Sequence, residues 1–123
     1  GSAAQGATAY VTLEPCAHHG HTSPCAEALI AAKISRVVTP LTDPDPRVSG
    51  KGHAMLRAVG IEVTEGVLTR EATHLNAGFL KRVTRGLPFV TLKLAASLDG
   101  RTATASGESR WITGALARRK VHA

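Results

Sequence analysis

Short apolar runs alternate with helical patterns in the first two thirds of the chain. Three runs rich in β-branched residues predict strands over 7–13, 35–41 and 61–67. Between these strands, apolar residues recur at helical spacing over 25–33 and 53–59 and predict two helices. Alternating strands and helices favour a largely parallel sheet with helices on its faces. The predicted fold class of this region is therefore α/β.

The pattern changes after the third predicted strand. Residues 69–85 carry apolar side chains at the spacing of one longer helix, and Gly86-Leu87-Pro88 ends that pattern. We therefore predict a domain boundary at this point, with a first domain over 1–86 and a second over 87–123.

Beyond the boundary the pattern predicts a strand over 89–97, a turn over 98–101 and a basic helix over 115–122. One strand, one loop and one helix cannot bury a hydrophobic core alone. The second region is therefore interpreted as either docked on the first or cut short.

A dense group of metal-binding side chains follows the first predicted strand, in the segment TLEPCAHHGHTSPC. Cys16 and Cys25 are the only cysteines of the chain, and each directly follows a proline. Pro24 suits the first turn of a helix, which would place Cys25 where the helix dipole favours a thiolate. Since thiolates are zinc ligands, the pair predicts a zinc site, with a disulfide or buried free thiols as the alternatives.

Other polar side chains surround the two cysteines. Three histidines lie between them, and each is interpreted as a loop residue facing solvent or substrate rather than as a ligand: His18, His19 and His21. Glu14 is interpreted as a loop-end or supporting carboxylate, because it precedes the cysteine pair. The Pro- and Gly-rich segment 42–52 follows the second predicted strand. We expect both loops at the same edge of the sheet, because parallel sheets bind ligands at the carboxyl ends of their strands.

Composition and charge narrow the classes of partner. The net charge of +6 suits a phosphorylated small ligand, whereas an aromatic content of 3% leaves few side chains to stack on bases, so nucleic acid is an unlikely partner. The sequence shows neither a secretory signal pattern nor an apolar run of membrane-spanning length. We therefore expect no membrane association and a cytoplasmic protein, in which a structural disulfide is disfavoured.

Several separate motifs carry a resemblance to one enzyme family. The segment VTLEPCAHHGHTSPC resembles the zinc segment of the bifunctional deaminase/reductase family of riboflavin biosynthesis. The likeness continues through DPDPRVSGKG, NAGFLKRVTRGLPFV and KLAASLDGRTATASGESRWITG. The resemblance implies a three-layer, cytidine-deaminase-like sheet, here incomplete, followed by the start of a dihydrofolate-reductase-like domain.

The resemblance also implies the reactions and the site residues. Members of the family remove an amine from a phosphoribosylated diaminopyrimidinone and then use NADPH to reduce its ribosyl group to ribityl. In such deaminases zinc lowers the pKa of a bound water, and a separate glutamate moves protons. Carried over by motif, Cys16 and Cys25 are the zinc ligands, Ala95 and Trp111 contact NADPH, and Ser109 contacts the substrate. A homo-oligomer is left open.

One part of the family pattern is not found in this sequence. The His-x-Glu that carries the third zinc ligand and the catalytic glutamate is expected upstream of the first strand, and no histidine precedes His18. No catalytic residue is therefore assigned within the chain, which we expect to be inactive alone. The alternative is a non-catalytic fragment, zinc-stabilised or disulfide-bridged, with a structural or binding role. A nucleic-acid deaminase is a weaker third reading.

Overall fold

The computed structural model describes residues 2–122, which contain three strands and five α-helices after a short 3-10 helix at Ser2–Ala4. In chain order the elements are β1 (Thr8–Tyr10), α1 (Cys25–Ala31), β2 (Arg36–Val38), α2 (Lys51–Ala58), β3 (Glu62–Thr64), α3 (Thr69–Leu75), α4 (Ala77–Arg85) and α5 (Ala115–His122). In this described part of the chain, no helix combines the length and the apolarity of a bilayer span.

The three strands form a parallel sheet, as the alternating pattern predicted, and their order in the sheet is β1-β2-β3. Val37 is in register with Ala9 on one side and with Val63 on the other. Since the strands run in the same direction, the loops that follow β1 and β2 leave from the same edge of the sheet. This edge is where the cysteine segment and the Pro- and Gly-rich segment begin.

The hydrophobic core lies between the sheet and the two helices α1 and α2. Its buried members come from α1, β2, α2 and the residues just before β2 and β3, and are Ala26, Val37, Leu56, Ile34 and Ile61. Leu56 and Val37 are completely buried. Burial of a leucine side chain contributes about 1.5–3 kcal/mol, so this small aliphatic core fixes α2 against the strands.

The single helix predicted over 69–85 is wrong, because Asn76 divides it into α3 and α4. The side-chain amide of Asn76 donates to the carbonyl oxygen of Ala72 and to that of Thr12, each at 2.9 Å. An asparagine side chain that binds nearby carbonyl groups competes with the helical hydrogen bonds. The break therefore ties the α3–α4 junction to the segment that follows β1.

The chain divides into two compact units between Phe89 and Val90, and the assignment of domains to residues 1–86 and 87–123 stays a prediction. Within the second unit, the helix predicted over 115–122 is confirmed as α5. The turn over 98–101 is also confirmed, since Gly100 N–H donates to the carbonyl oxygen of Ser97 at 2.9 Å.

The strand predicted over 89–97 is wrong, because these residues form no strand in the structure. A β-strand needs a neighbouring strand to accept and donate its ladder hydrogen bonds. Among residues 2–122 the sheet contains β1, β2 and β3 alone, all of which lie in the first unit. An apolar, β-branched pattern was therefore not sufficient to produce a strand here.

Candidate metal centre and its supporting loops

Cys16 and Cys25 lie together at the start of α1. Cys16 is half-buried in the loop after β1, and Cys25 is the first residue of the helix. The Cys25 N–H donates to Cys16 Sγ at 3.1 Å, and the Ala26 N–H donates to the carbonyl oxygen of Cys16, also at 3.1 Å. Both cysteines are free, so the disulfide alternative does not describe this structure.

The neighbouring Cys16 affects the protonation of Cys25. The side-chain hydrogen bond with Cys16, followed by burial, raises the pKa of the Cys25 thiol above its ordinary value. The helix start was expected to favour a thiolate at this position, but the neighbouring sulfur has the larger effect. A metal ion reverses this preference, since a coordinating thiol is deprotonated.

Both cysteines line a cavity of about 610 Å³. Its wall is largely apolar and includes Leu13, Leu29 and Phe79. The cysteine pair is therefore placed where a small ligand and the sulfur atoms share one space.

The three histidines do not complete a ligand set with the cysteines. His18 is half-buried, and its Nδ1 has no hydrogen-bond partner. His19 Nε2 lies 3.2 Å from Glu27 Oε1, and His21 is exposed. Over residues 2–122, no group of three or more His, Cys, Asp or Glu side chains is arranged to hold a metal ion. The described residues fit zinc as two sulfur donors of a set that needs further ligands.

Glu14 joins the loop after β1 to the loop after β2. Its side chain is buried, with the residue 4% exposed. One carboxylate oxygen accepts the N–H groups of Asp43 at 3.0 Å and Gly50 at 2.8 Å, and the other accepts those of Gly52 at 2.8 Å and His53 at 3.3 Å. The two loops therefore meet at one edge of the sheet, as predicted, and the Glu14 carboxylate links them through four hydrogen bonds.

The loop that Glu14 binds is itself held by local hydrogen bonds. Asp43 Oδ1 accepts the N–H of Asp45 at 2.8 Å, and the Asp45 carboxylate accepts the backbone N–H of Arg47 at 2.9 Å and its guanidinium at 2.6 Å. These side-chain and backbone hydrogen bonds from Arg47 hold the pKa of Asp45 well below its usual range. The Asp45 carboxylate is therefore ionised and fixed in place.

A second polar group behind this loop was not predicted from the sequence. His53 is buried, with Thr39 Oγ1 at 3.1 Å from its Nε2 and Glu65 Oε2 at 3.2 Å from its Nδ1. The hydrogen bond from Arg57 is the main cause that lowers the pKa of Glu65, with smaller electrostatic contributions from the neighbouring His53 and Arg57 side chains. A lone histidine inside an amphipathic helix gives no signal in the sequence that would reveal such partners.

The second unit contains the other residues predicted to form a site. Ala95, Ser109 and Trp111 line one cavity of about 380 Å³. The guanidinium of Arg118 lies 4.3 Å from the centre of the Trp111 ring, and Lys93 also lines this cavity. Lys93 and Arg118 give the cavity positive charge, which suits an anionic ligand.

Two family models match separate parts of the chain. The cytidine and deoxycytidylate deaminase zinc-binding region matches residues 1–41, and the RibD C-terminal domain matches residues 88–123. The first match contains both cysteines, and the second contains all three residues of the second-unit cavity. These matches agree with the α/β fold class and with the order of the two folds that the resemblance implied.

Known proteins resemble the chain over nearly all of its residues. The riboflavin biosynthesis protein RibD of Escherichia coli (strain K12) is 60% identical over 121 residues, which are 98% of this chain and 33% of that protein. RibD of Haemophilus influenzae is also 60% identical, over 98% of this chain and 32% of its own length.

Solved structures give the same result. RibD of Acinetobacter baumannii, form 1, matches with a TM-score of 0.78 and 60% identity, over 98% of this chain and 34% of that one. A diaminohydroxyphosphoribosylaminopyrimidine deaminase/5-amino-6-(5-phosphoribosylamino)uracil reductase of Thermotoga maritima matches with a TM-score of 0.79 and 50% identity, over 96% and 33%. The chain thus matches RibD proteins over nearly all of its own residues and spans about a third of the length of these relatives.

Proposed function

We propose that the chain is part of a bifunctional enzyme of riboflavin biosynthesis. One reaction is the zinc-dependent hydrolytic deamination of a phosphoribosylated diaminopyrimidinone, and the other is the NADPH-dependent reduction of its ribosyl group to ribityl. The observation that carries the proposal is the contact between Cys16 and Cys25, in which the Cys25 N–H donates to Cys16 Sγ at 3.1 Å. Both residues lie inside the span that matches a deaminase zinc-binding region. The printed title of the Thermotoga maritima relative names both activities for that protein.

Within this proposal Cys16 and Cys25 hold the zinc ion. Zinc, when bound, supplies the Lewis acidity that hydrolytic deamination requires. The chain's own contribution is to orient the two sulfurs through the start of α1 and to place them beside an apolar cavity. We assign no proton-transfer residue within the chain, because the sequence contains no His-x-Glu and the Glu14 carboxylate is occupied by four N–H groups.

The second reaction is proposed for the second unit. Ala95 and Trp111 contact NADPH, and Ser109 contacts the phosphorylated substrate. The cavity that these three residues share, with Lys93 and Arg118 on its wall, supports this assignment because both ligands carry phosphate groups. Residues 1–86 then form the C-terminal part of the deaminase domain, and residues 87–123 the N-terminal part of the reductase domain.

The cellular setting follows the same proposal. Two free thiols close to each other are typical of a reducing compartment, which supports a cytoplasmic enzyme. Its partner is a small phosphorylated pyrimidine, and a homo-oligomer stays an open prediction.

One observation favours a second candidate function. In the part of the chain that the structure describes, the cysteines are not joined by a third metal-binding side chain. A non-catalytic fragment, in which zinc or the thiol pair has a structural role, is the alternative that this observation supports.

Metal analysis tests the proposed site. We expect the 123-residue chain, purified without chelator, to bind zinc, and Cys16→Ser or Cys25→Ser to remove that binding. Thr22→Ser is the matched control, because it changes an exposed side chain of the same loop and leaves both sulfurs in place. Absence of zinc uptake by the unmodified chain would contradict the assignment.

Turnover separates the enzyme from its alternative. The zinc-loaded chain alone is expected to release no ammonia from the phosphoribosylated diaminopyrimidinone. Addition of a segment that carries His-x-Glu is expected to restore deamination. Ammonia release by the chain alone would show that a proton-transfer residue lies within it, and failure of restoration would favour the structural alternative.

A further inference from the structure

The helices α1 and α2 both begin without a capping side chain from their own N-cap residues, Pro24 and Gly50. The first N–H groups of a helix have no partner within the helix and need one from elsewhere. In this structure both helices obtain partners from the same tripeptide, Glu14-Pro15-Cys16. We call this tripeptide the double cap.

Glu14 supplies the cap of α2. Its carboxylate accepts the N–H groups of Gly50, Gly52 and His53, which are the N-cap and two positions in the first turn. A negative charge at the positive end of the helix dipole is favourable. Because Glu14 is 4% exposed, these bonds also satisfy a carboxylate that could not otherwise be buried without a large cost.

Cys16 supplies the partners of α1. Its sulfur accepts the N–H of Cys25, and its carbonyl oxygen accepts the N–H of Ala26, both at 3.1 Å. The relative position of the two sulfurs is therefore set by the backbone of residue 16. A shift of that backbone changes the separation of the thiols.

Pro15 makes the link between the two caps stiff. It is buried, and its ring fixes one of its two backbone dihedral angles. A Cβ atom placed on Gly52 would lie 1.9 Å from the carbonyl oxygen of Pro15, so the first turn of α2 rests directly on this peptide. A movement of Glu14 relative to α2 would consequently displace Cys16 as well.

We propose that Glu14 is a positioning residue for the metal centre, acting through Pro15 on Cys16. Its carboxylate binds the start of α2, and this contact fixes the position of the Cys16 backbone. The Cys16 backbone in turn sets the position of the Cys16 sulfur relative to Cys25. The inference rests on the zinc site proposed above and names a role beyond the two sulfur ligands. Glu14 contacts neither substrate nor metal in this role, and its carboxylate acts only as an acceptor of hydrogen bonds.

Substitution of Glu14 in the 123-residue chain tests the inference. Glu14→Ala leaves four N–H groups without their acceptor and is expected to destabilise the fold, so the near-isosteric Glu14→Gln carries the main test. Its amide keeps one oxygen acceptor but turns an NH₂ group toward two backbone N–H donors. Supporting residues of metal sites change metal affinity by about 10- to 100-fold when they are replaced, and we expect a loss of about 10-fold in zinc affinity for Glu14→Gln.

Two controls separate positioning from general stability. Glu62→Gln makes the same chemical change at an exposed carboxylate on β3 and is expected to leave zinc affinity within about twofold of the unmodified chain. Val37→Ala truncates a fully buried side chain of β2 and lowers stability without removing a loop hydrogen bond. It is expected to leave zinc affinity within the same range under conditions in which the variant is folded.

Three measurements are made on each folded variant. Zinc affinity is obtained by competition with a coloured chelator, and the sulfur-to-cobalt charge-transfer absorption of the Co²⁺-loaded protein reports the geometry of the pair. Amide exchange of Gly50 and Gly52 reports the cap of α2 without any metal. We expect Glu14→Gln to weaken the absorption, lower the affinity and speed exchange at both glycines.

Each outcome decides a separate claim. Unchanged zinc affinity and unchanged absorption in folded Glu14→Gln overturn the positioning role, whatever the exchange rates show. An equal loss of affinity in Val37→Ala also overturns it, since stability alone would then explain the effect. If the unmodified chain binds neither zinc nor Co²⁺, the proposed zinc site fails instead, and this positioning role fails with it.

Discussion

Both units of the chain contain an apolar, β-branched run, but their side chains are buried to very different degrees. The first unit buries a core of aliphatic side chains between a parallel sheet and two helices. In the second unit none of the described residues 90–122 is buried, and Leu92, Leu98 and Trp111 are largely exposed. The hydrophobic pattern of a strand is present in both units, but only the first provides neighbouring strands.

The difference shows what a local pattern can and cannot determine. An apolar run favours burial only where another surface can cover it. The stabilising free energy comes from removing apolar surface from water, and the run alone cannot supply it. In the first unit β2 has a strand on each side and its central residue Val37 is fully buried. The run over 89–97 has no such neighbour and stays irregular.

The largest expected effect comes from removing a core side chain. Leu56→Ala is expected to lower the free energy of unfolding by about 2–5 kcal/mol, because it leaves a cavity at a completely buried position. Leu92→Ala makes the same change at a side chain that is 80% exposed and is expected to stay within about 0.5 kcal/mol. Urea unfolding followed by circular dichroism measures both. Equal effects would remove the contrast between the two units.

A pair of glycine substitutions tests the contact between the loops. Gly52→Ala would place a Cβ atom 1.9 Å from the Pro15 carbonyl oxygen, so a cost of about 1–3 kcal/mol is expected from forced backbone movement. Gly114→Ala, in the second unit, meets no atom within 4 Å and is expected to be nearly neutral. Thermal unfolding of both variants measures the difference, and a neutral Gly52→Ala would show that the double cap tolerates movement.

Lowering the pH tests the contribution of the Glu65 ion pair to the stability of the first unit. The pKa of Glu65 is lowered in the folded state, so its ion pair adds stability above the unfolded pKa of about 4.3, and this stability is lost as the pH falls through the folded pKa. Arg57→Gln removes the main cause of the lowered pKa of Glu65. We expect the stability lost between neutral and acidic pH to become smaller by about 0.5 kcal/mol, the size typical of exposed ion pairs. Urea unfolding from neutral to acidic pH follows it. An unchanged slope would contradict the Arg57 contribution.

The smallest effect on the unfolding midpoint of the first unit is expected from a change in the second unit. Arg118→Ala removes the cation that lies 4.3 Å from the Trp111 ring, a contact worth about 0.5–1 kcal/mol at an exposed site. Since Trp111 is the single tryptophan of the chain, its fluorescence reports this contact directly. We expect a changed emission with an unchanged unfolding midpoint of the first unit. A shift of that midpoint would show that the two units unfold together.

Sequence patterns predicted those features of the fold that depend on neighbouring residues in the chain. The parallel direction of the strands followed from the alternation of strand and helix patterns, and α5 spans the residues that its pattern predicted. The start of α2 at Lys51 and the break at Asn76 were not predicted. Both depend on partners far away in sequence, since Glu14 caps the helix and Thr12 accepts from the asparagine.

The candidate site shows the same division. The composition of the cysteine segment pointed to a metal, and the structure brings the two cysteines into contact. The sequence indicated only a supporting role for Glu14, because it does not show which N–H groups a carboxylate will bind. An asparagine within a helical pattern was the one local signal that the long helix would break.

Residue-resolved amide exchange of the 123-residue chain, with and without one equivalent of zinc, tests most directly whether the double cap and the cysteine pair form one metal-binding unit. We expect zinc to slow exchange at Cys25, Ala26 and Gly52, and to leave the amides of residues 90–122 unchanged. Exchange at Cys25 and Ala26 that is the same with and without zinc would contradict the metal centre. Slowing at those two residues without slowing at Gly52 would contradict its connection to α2.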